Sequence, residues 1–131
     1  MKQPAARPTS KSRSGKKRLS PRTKVWLEID GEYVFGLGIC EMLEAVERTG
    51  SIKQAAAELD KSYRYVWGRI KAAEEALAQS LVRTQVGGQG AQRSHLTPLA
   101  AQLIQSYRTF RQRVFEIAAA EFKRLFGRVD A

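Results

Sequence analysis

Between Thr49 and Leu77 the chain carries two apolar stripes at helical spacing, separated by the short break Leu59-Asp60-Lys61. Ser51 opens the first stripe as a capping box: its hydroxyl can accept from the Gln54 amide, and the Gln54 side chain can reach back to the Ser51 amide. Ile52, Ala55, Ala56 and Leu59 then make a narrow face of mostly small residues. Small side chains let a second helix cross at short range, and that helix supplies Val66, Ile70, Ala73 and Leu77 at three- and four-residue steps. Once these two stripes face each other, few arrangements remain: two short helices locked at an angle, with the second helix's other side left outward.

That outward side begins with Ser62, Tyr63, Arg64, Tyr65 and Gly68, with Arg69 a turn further on. The layout is that of a helix-turn-helix, and these are residue types that serve in a DNA groove. Arginine can donate two bonds to the O6 and N7 of guanine, tyrosine can reach a phosphate or pack on a thymine methyl, and Ser62 can cap the helix while bonding phosphate. Ser51, Lys53 and Gln54 at the start of the first helix are further candidates for DNA contact. The competing reading is a pair of amphipathic helices with a solvated basic face.

The net charge of +10 does not by itself decide between these readings. Nine of the 23 Lys and Arg fall in residues 1–24, where there is no acid, leaving fourteen against thirteen in the other 107. Residues 1–23 hold three prolines, one leucine and no aromatic, so they cannot bury enough apolar surface to fold alone. They are expected to be a disordered basic tail, serving either as a phosphate-wrapping arm or as a solubilising extension. No secretory leader is expected there, because the stretch has no apolar segment. With 43% hydrophobic residues over 131 positions and no window apolar enough for a membrane span, one soluble domain is expected, located in the cytoplasm at the nucleoid.

Around the helix pair, other signals fix the order of elements. Lys24 to Gly36 alternates apolar and polar residues about Asp30-Gly31, the strongest short hairpin cue, which leaves Trp26 on the face opposite Val25 and Leu27. Ile39, Met42, Leu43 and Val46 predict a helix that ends at a left-handed Gly50, with Glu41, Glu44 and Glu47 on its other side. Leu81 to Leu96 reads as two short β arms around a glycine-rich loop, a wing. Gly87, Gly88, Gln89 and Gly90 would bring backbone amides near a phosphate, and Arg83 and Arg93 would flank the loop as its charge. A nucleotide-cradling loop is disfavoured, because the P-loop lysine and the helix start after it are missing. Thr97-Pro98 then opens a helix reaching toward Phe126, with the stripe Leu99, Leu103, Tyr107, Phe110, Val114, Ile117, Ala118, Phe122 and Leu125. At about 1.5 Å per residue this helix is longer than a small body can cover, so it is expected to pair with a second copy in a homodimer.

Catalysis is not expected. His95 has no acid beside it in sequence, and Cys40 lies among apolar helical positions as a buried structural thiol. One Cys and one His cannot build a structural zinc site, and no metal or cofactor is expected.

Taken in order, these elements resemble the N-terminal DNA-binding domain of the molybdate-responsive ModE-type regulators, from about Val25 to Val114. The residues that carry the likeness are Gly50-Ser51-Ile52, Ala55-Ala56, Ser62-Tyr63-Arg64 with Trp67, Leu81-Val82 with Gly87-Gly88-Gln89-Gly90, and Leu96-Thr97. The helix-turn-helix half is also similar to that of LysR-type regulators. The resemblance implies a mainly α fold with small β elements: a winged helix-turn-helix over 24–96 with an N-terminal hairpin, and a dimerisation helix over 97–127. It also implies binding to two-fold double-stranded DNA through Ser62, Tyr63 and Arg64, with the wing glycines near the backbone. Three departures stand out: Leu59-Asp60-Lys61 where the family favours a glycine and then an apolar residue; Ala91-Gln92 in place of further wing glycines; and no counterpart of the molybdate-binding C-terminal domains. Molybdate or other oxyanion sensing is therefore not expected of this chain alone. The function expected is a sequence-specific transcription regulator; the alternatives are a protein-interaction or dimerisation module and a non-specific nucleic-acid-binding protein.

Overall fold

Asp30 and Gly31 take φ of 51° and 82°, the two left-handed residues that a type I′ turn requires. The hairpin they close begins a computed structural model that describes residues 17–88 and 92–127. Its elements run β1 (Trp26–Ile29), β2 (Glu32–Gly36), α1 (Leu37–Thr49), α2 (Ile52–Glu58), α3 (Tyr63–Leu77), β3 (Val82–Val86), β4 (Gln92–Leu96) and α4 (Pro98–Phe126). Strands β1 and β2 pair antiparallel with a bulge between Leu27 and Glu28. Strands β3 and β4 pair separately, in register from Val82 opposite Leu96 to Val86 opposite Gln92. The fold is mainly α with small β elements.

Local chemistry sets most boundaries. Gly50 ends α1 at φ 87°, its N–H donating to the Val46 carbonyl at 2.8 Å. Ser51 caps α2 by accepting from the Gln54 amide at 2.9 Å. The return half of the expected capping box is replaced: the Ser51 amide points to the Thr49 hydroxyl at 3.4 Å, so the Gln54 side chain is not needed there. Asp60 takes φ 58° between α2 and α3, supplying the left-handed turn without a glycine. Ser62 accepts from the Tyr65 amide at 3.0 Å and starts α3. Thr97 accepts from the Ala100 amide at 3.2 Å and donates to the Ser80 carbonyl at 2.8 Å, so one hydroxyl starts α4 and ties it to the end of the α3–β3 loop.

Lys24–Val114 form one compact unit. Its core is Phe35 from β2, Ile39, Leu43 and Val46 from α1, Ala55 and Ala56 from α2, Val66, Ile70 and Ala73 from α3, then Leu81, Ala100 and Tyr107. The two alanines are what allow α2 to lie close on its neighbours. The unit includes the first half of α4, because Tyr107 is buried with its ring edge-on to Phe35 at 5.4 Å and its hydroxyl donating to the Val25 carbonyl at 2.8 Å. Cys40 is fully buried, as expected, and burial, with Glu44 adding to it, pushes its thiol up to about 11.

Of the described residues, the second unit takes in 17–23 and 115–127. Residues 17–22 are exposed. Within α4 beyond Phe115, Phe122 stacks on Phe126 at 5.2 Å, Arg124 pairs with Glu121, and Ile117 and Leu125 stand 64% and 59% exposed.

Candidate nucleic-acid interface

Because Val66, Ile70 and Ala73 turn inward, the first two turns of α3 present Arg64 and Gly68 outward, with the half-buried Lys71 following in the third turn. Tyr63, Tyr65 and Trp67 are also exposed, an unusual aromatic content for a water-facing helix. Lys61 lies 5.7 Å from the Tyr65 ring centre and Lys71 5.7 Å from that of Trp67, so cations and rings alternate along this face. Glu74 and Glu75 follow, so the basic end of α3 is its N-terminal end.

Elsewhere, Arg48, Arg108 and Arg124 are matched to acids. Arg108 forks onto Glu44 at 2.6 and 2.9 Å, which raises its already high pKa. Arg48 pairs with Glu58 and holds that carboxyl below the usual carboxylate range. Lys53, Arg64 and Arg83 are exposed and have no carboxylate partner among the described residues. They sit on α2, α3 and β3 respectively.

The wing is held to the helices at its base. Glu74 Oε2 accepts from the Leu81 amide at 2.7 Å and the Val82 amide at 3.1 Å. Glu47 Oε1 accepts from the Leu96 amide at 2.9 Å, and its Oε2 lies 3.7 Å from His95 Nδ1. Since Val82 and Leu96 face each other across the hairpin, α3 and α1 each grip one end of the same rung. The Ser94 amide also donates to the Gly50 carbonyl at 2.7 Å. Glu47 is exposed on the side of α1 away from its apolar stripe, as expected, and from there it reaches the wing.

Of the expected contact residues, Arg69 is turned toward the body, and Arg93 is exposed but leans on the end of α1. Arg69 is half-buried, its guanidinium carbon 4.6 Å from the Tyr33 ring centre, and its Nε is buried without an acceptor among the described residues. Burial raises the Tyr33 hydroxyl, and the Arg69 charge offsets part of that rise. Arg93, expected to charge the wing loop, lies against Gly50, with Nη2 3.4 Å from the Glu47 carbonyl. For Arg69 the Tyr33 ring offers the stem and guanidinium more contact than water does. Ser62, Tyr63, Arg64 and Tyr65 share the start of α3, while Lys53 and Gln54 are exposed on α2 and Ser51 is half-buried. Gly87 and Gly88 are exposed; Gln89 and Gly90 lie outside the described residues. Trp67 and Lys71 join the face without having been singled out for contact, although the helical wheel that placed Arg64 outward also places them.

A cleft of about 270 Å³ opens between α2, α3 and the wing, with Lys53, Tyr63, Trp67, Lys71, Thr84 and Gln92 among its walls. Among the described residues no group of three or more His, Cys, Asp or Glu is placed to hold a metal ion, and no helix is long and apolar enough to cross a membrane.

A helix pair joined by a left-handed turn, followed by a two-stranded wing, defines a winged helix-turn-helix module. Residues 39–101 match the family model of the bacterial regulatory helix-turn-helix protein, lysR family, and form a helix-turn-helix domain of that type. Curated relatives are similar over part of the chain. The molybdenum transport protein ModE of Herbaspirillum seropedicae is 33% identical over 57% of this chain and 28% of its own length. The molybdenum-pterin-binding protein MopB of Rhodobacter capsulatus is 38% identical over 50% of this chain and 24% of its own. The transcriptional regulator ModE of Yersinia pestis is 33% identical over 57% and 30%. The chain thus spans under a third of the length of each of these relatives.

Proposed function

We propose that this chain is a sequence-specific DNA-binding transcription regulator of the ModE-like kind, acting at the nucleoid in the cytoplasm as a homodimer and performing no catalysis. The observation that carries this reading is the start of α3, where Arg64 is exposed and has no acid partner among the described residues, between exposed Tyr63 and Tyr65 on the second helix of a helix-turn-helix. The N-terminal turns of such a helix meet base edges in the major groove. Arg64 is the direct reader in this assignment; Ser62, Tyr63 and Tyr65 flank it, and Ser51, Lys53 and Gln54 serve the sugar-phosphate backbone. Gly87 and Gly88 bring the wing to the neighbouring backbone. Arg69 and Arg93 take a supporting part, by way of Tyr33 and Glu47.

Pairing of two copies through α4 is supported by the exposure of Ile117, Leu125 and Phe126 at 64%, 59% and 44%. Selection of bound duplexes from a randomised pool at near-physiological salt tests the reading. A two-fold motif with half-sites about one helical turn apart is expected. Absence of any enriched motif, together with binding that vanishes at modest salt, would replace it with non-specific binding by the basic N-terminal stretch.

A further inference from the structure

Gly68 stands where a glycine is costly and where nothing within the chain asks for one. It is the sixth of the fifteen residues of α3, in regular helix without the positive φ of Gly31 and Gly50. A methyl group built on it meets no heavy atom within 4 Å beyond its chain neighbours and its own helix backbone, so among the described residues none forbids alanine there. Glycine in mid-helix nevertheless lowers the folding constant about two- to fivefold against alanine, because the unfolded backbone has more freedom to lose. Gly38 is equally open, but it lies in the first turn of α1, where helix ends fray and the penalty is smaller.

At about 100° per residue, Gly68 lies roughly 140–160° around α3 from the buried Val66, Ile70 and Ala73, so it marks the middle of the outward face. Arg64 precedes it by one turn and Ala72 follows by one, both exposed. Tyr65 and Trp67, 48% and 43% exposed, stand on either side. The result is a notch floored by the Gly68 Cα and walled by two rings. Neither Gly68 nor Ala72 has a side-chain donor or acceptor to offer, and the Gly68 amide and carbonyl lie within the helix ladder. A polar group pressed onto that floor would give up water without gaining a partner. Among the groups on major-groove base edges, the thymine C5 methyl is the one that projects into the groove and needs no hydrogen bond.

We propose that Gly68 is a specificity-determining residue: its missing side chain lets α3 seat against the C5 methyl of a thymine in the half-site. The proposal rests on the DNA-binding reading above and adds a second base contact, made by shape where Arg64 works by hydrogen bonds. Residues one turn apart on a helix lie about 6 Å apart and base pairs stack at about 3.4 Å, so this thymine falls within about two base pairs of the position that Arg64 reads. Alanine at position 68 would fold better and bind worse.

The test compares the wild-type chain and Gly68→Ala on the duplex that the wild type selects from a random pool. Both are also measured on copies in which each half-site thymine is replaced singly by deoxyuridine, which removes only the methyl. The wild type is expected to bind one uracil copy about fourfold more weakly, the worth of one buried methyl. Gly68→Ala is expected to bind the selected duplex about tenfold more weakly than the wild type, from the clash of two methyls, and to prefer that same uracil copy, so that the preference reverses. Its urea midpoint is expected to rise by about 0.3–0.7 M. A Gly68→Ala chain that binds as tightly as the wild type, or that keeps the wild type's preference for thymine at every position, overturns the proposal, as does a selected half-site without thymine. A lowered urea midpoint overturns it too, by showing that the fold itself needs the glycine. A wild-type chain that selects no duplex removes the DNA-binding reading itself, whereas one that selects normally while Gly68→Ala shows no reversal removes only the role of Gly68.

Discussion

Replacing Glu74 with alanine takes the acceptor from two backbone donors at once. The Leu81 and Val82 amides converge on Oε2 at 2.7 and 3.1 Å, the Glu74 side chain is 12% exposed, and Leu81 is fully buried, so water cannot freely take the vacated place. A hydrogen bond to a charged group contributes about 1.5–3 kcal/mol. Because the two donors share one oxygen, the pair together is worth about 3 kcal/mol. The ion pair to Lys71, a 44% exposed side chain, adds less than about 1 kcal/mol. Glu74→Ala is therefore expected to destabilise the chain by about 3 kcal/mol, and Glu74→Gln, which keeps a carbonyl oxygen in place, by about 1 kcal/mol. Urea denaturation gives both values, and native-state hydrogen exchange locates the loss, with the Leu81 and Val82 amides losing protection ahead of the α1 amides. A Glu74→Ala chain within about 0.5 kcal/mol of wild type would refute the argument that this carboxylate pins the wing. Unchanged exchange at Leu81 and Val82 would refute it equally.

Tyr107→Phe keeps the ring contact with Phe35 but orphans the Val25 carbonyl, and a loss of about 1–2 kcal/mol in urea denaturation is expected. Cys40 titrates at about 11 in the folded chain against an ordinary 9.0, so the folded state favours the protonated thiol. Its contribution is whole below pH 9 and is lost as the pH rises from about 9 to about 11, a fall of about 3 kcal/mol that a Cys40→Ala chain should not show in denaturation across that range. Arg64→Ala should cost roughly 1–3 kcal/mol of affinity for the selected duplex and flatten preference at one base position, and an unchanged preference would remove Arg64 from direct readout.

The features legible in the sequence are those whose chemistry closes within a few residues. Asp30-Gly31, Gly50, Ser51, Ser62 and Thr97-Pro98 each act on a backbone group no more than four positions away, so residue type and spacing suffice to place turns, caps and helix starts. Apolar periodicity identified the buried faces of α2 and α3 for a similar reason. The arginines and glutamates were less readable. Glu47 meets Leu96 at a separation of 49 residues, and Arg108 meets Glu44 at 64. Arg69 and Arg93 look like Arg64 in a string of letters. The packing of the hairpin and the wing decides that Arg69 turns onto Tyr33 and that Arg93, though exposed, leans on Glu47, while Arg64 stays without a partner among the described residues.

Among the described residues the wing's fastening is densest at its inner rung and thins outward. Its inner rung, Val82 and Leu96, is held by two carboxylates, while Val86 on the outer rung is 70% exposed and its partner Gln92 is also exposed. Support from the helices is thus concentrated toward the attachment point, with Ser94 and Arg93 adding ties to Gly50 and Glu47 along β4. Substitutions at Val86 and Gln92 are therefore expected to cost folding little. A lineage carrying this scaffold can retune what the tip touches while leaving the hinge alone.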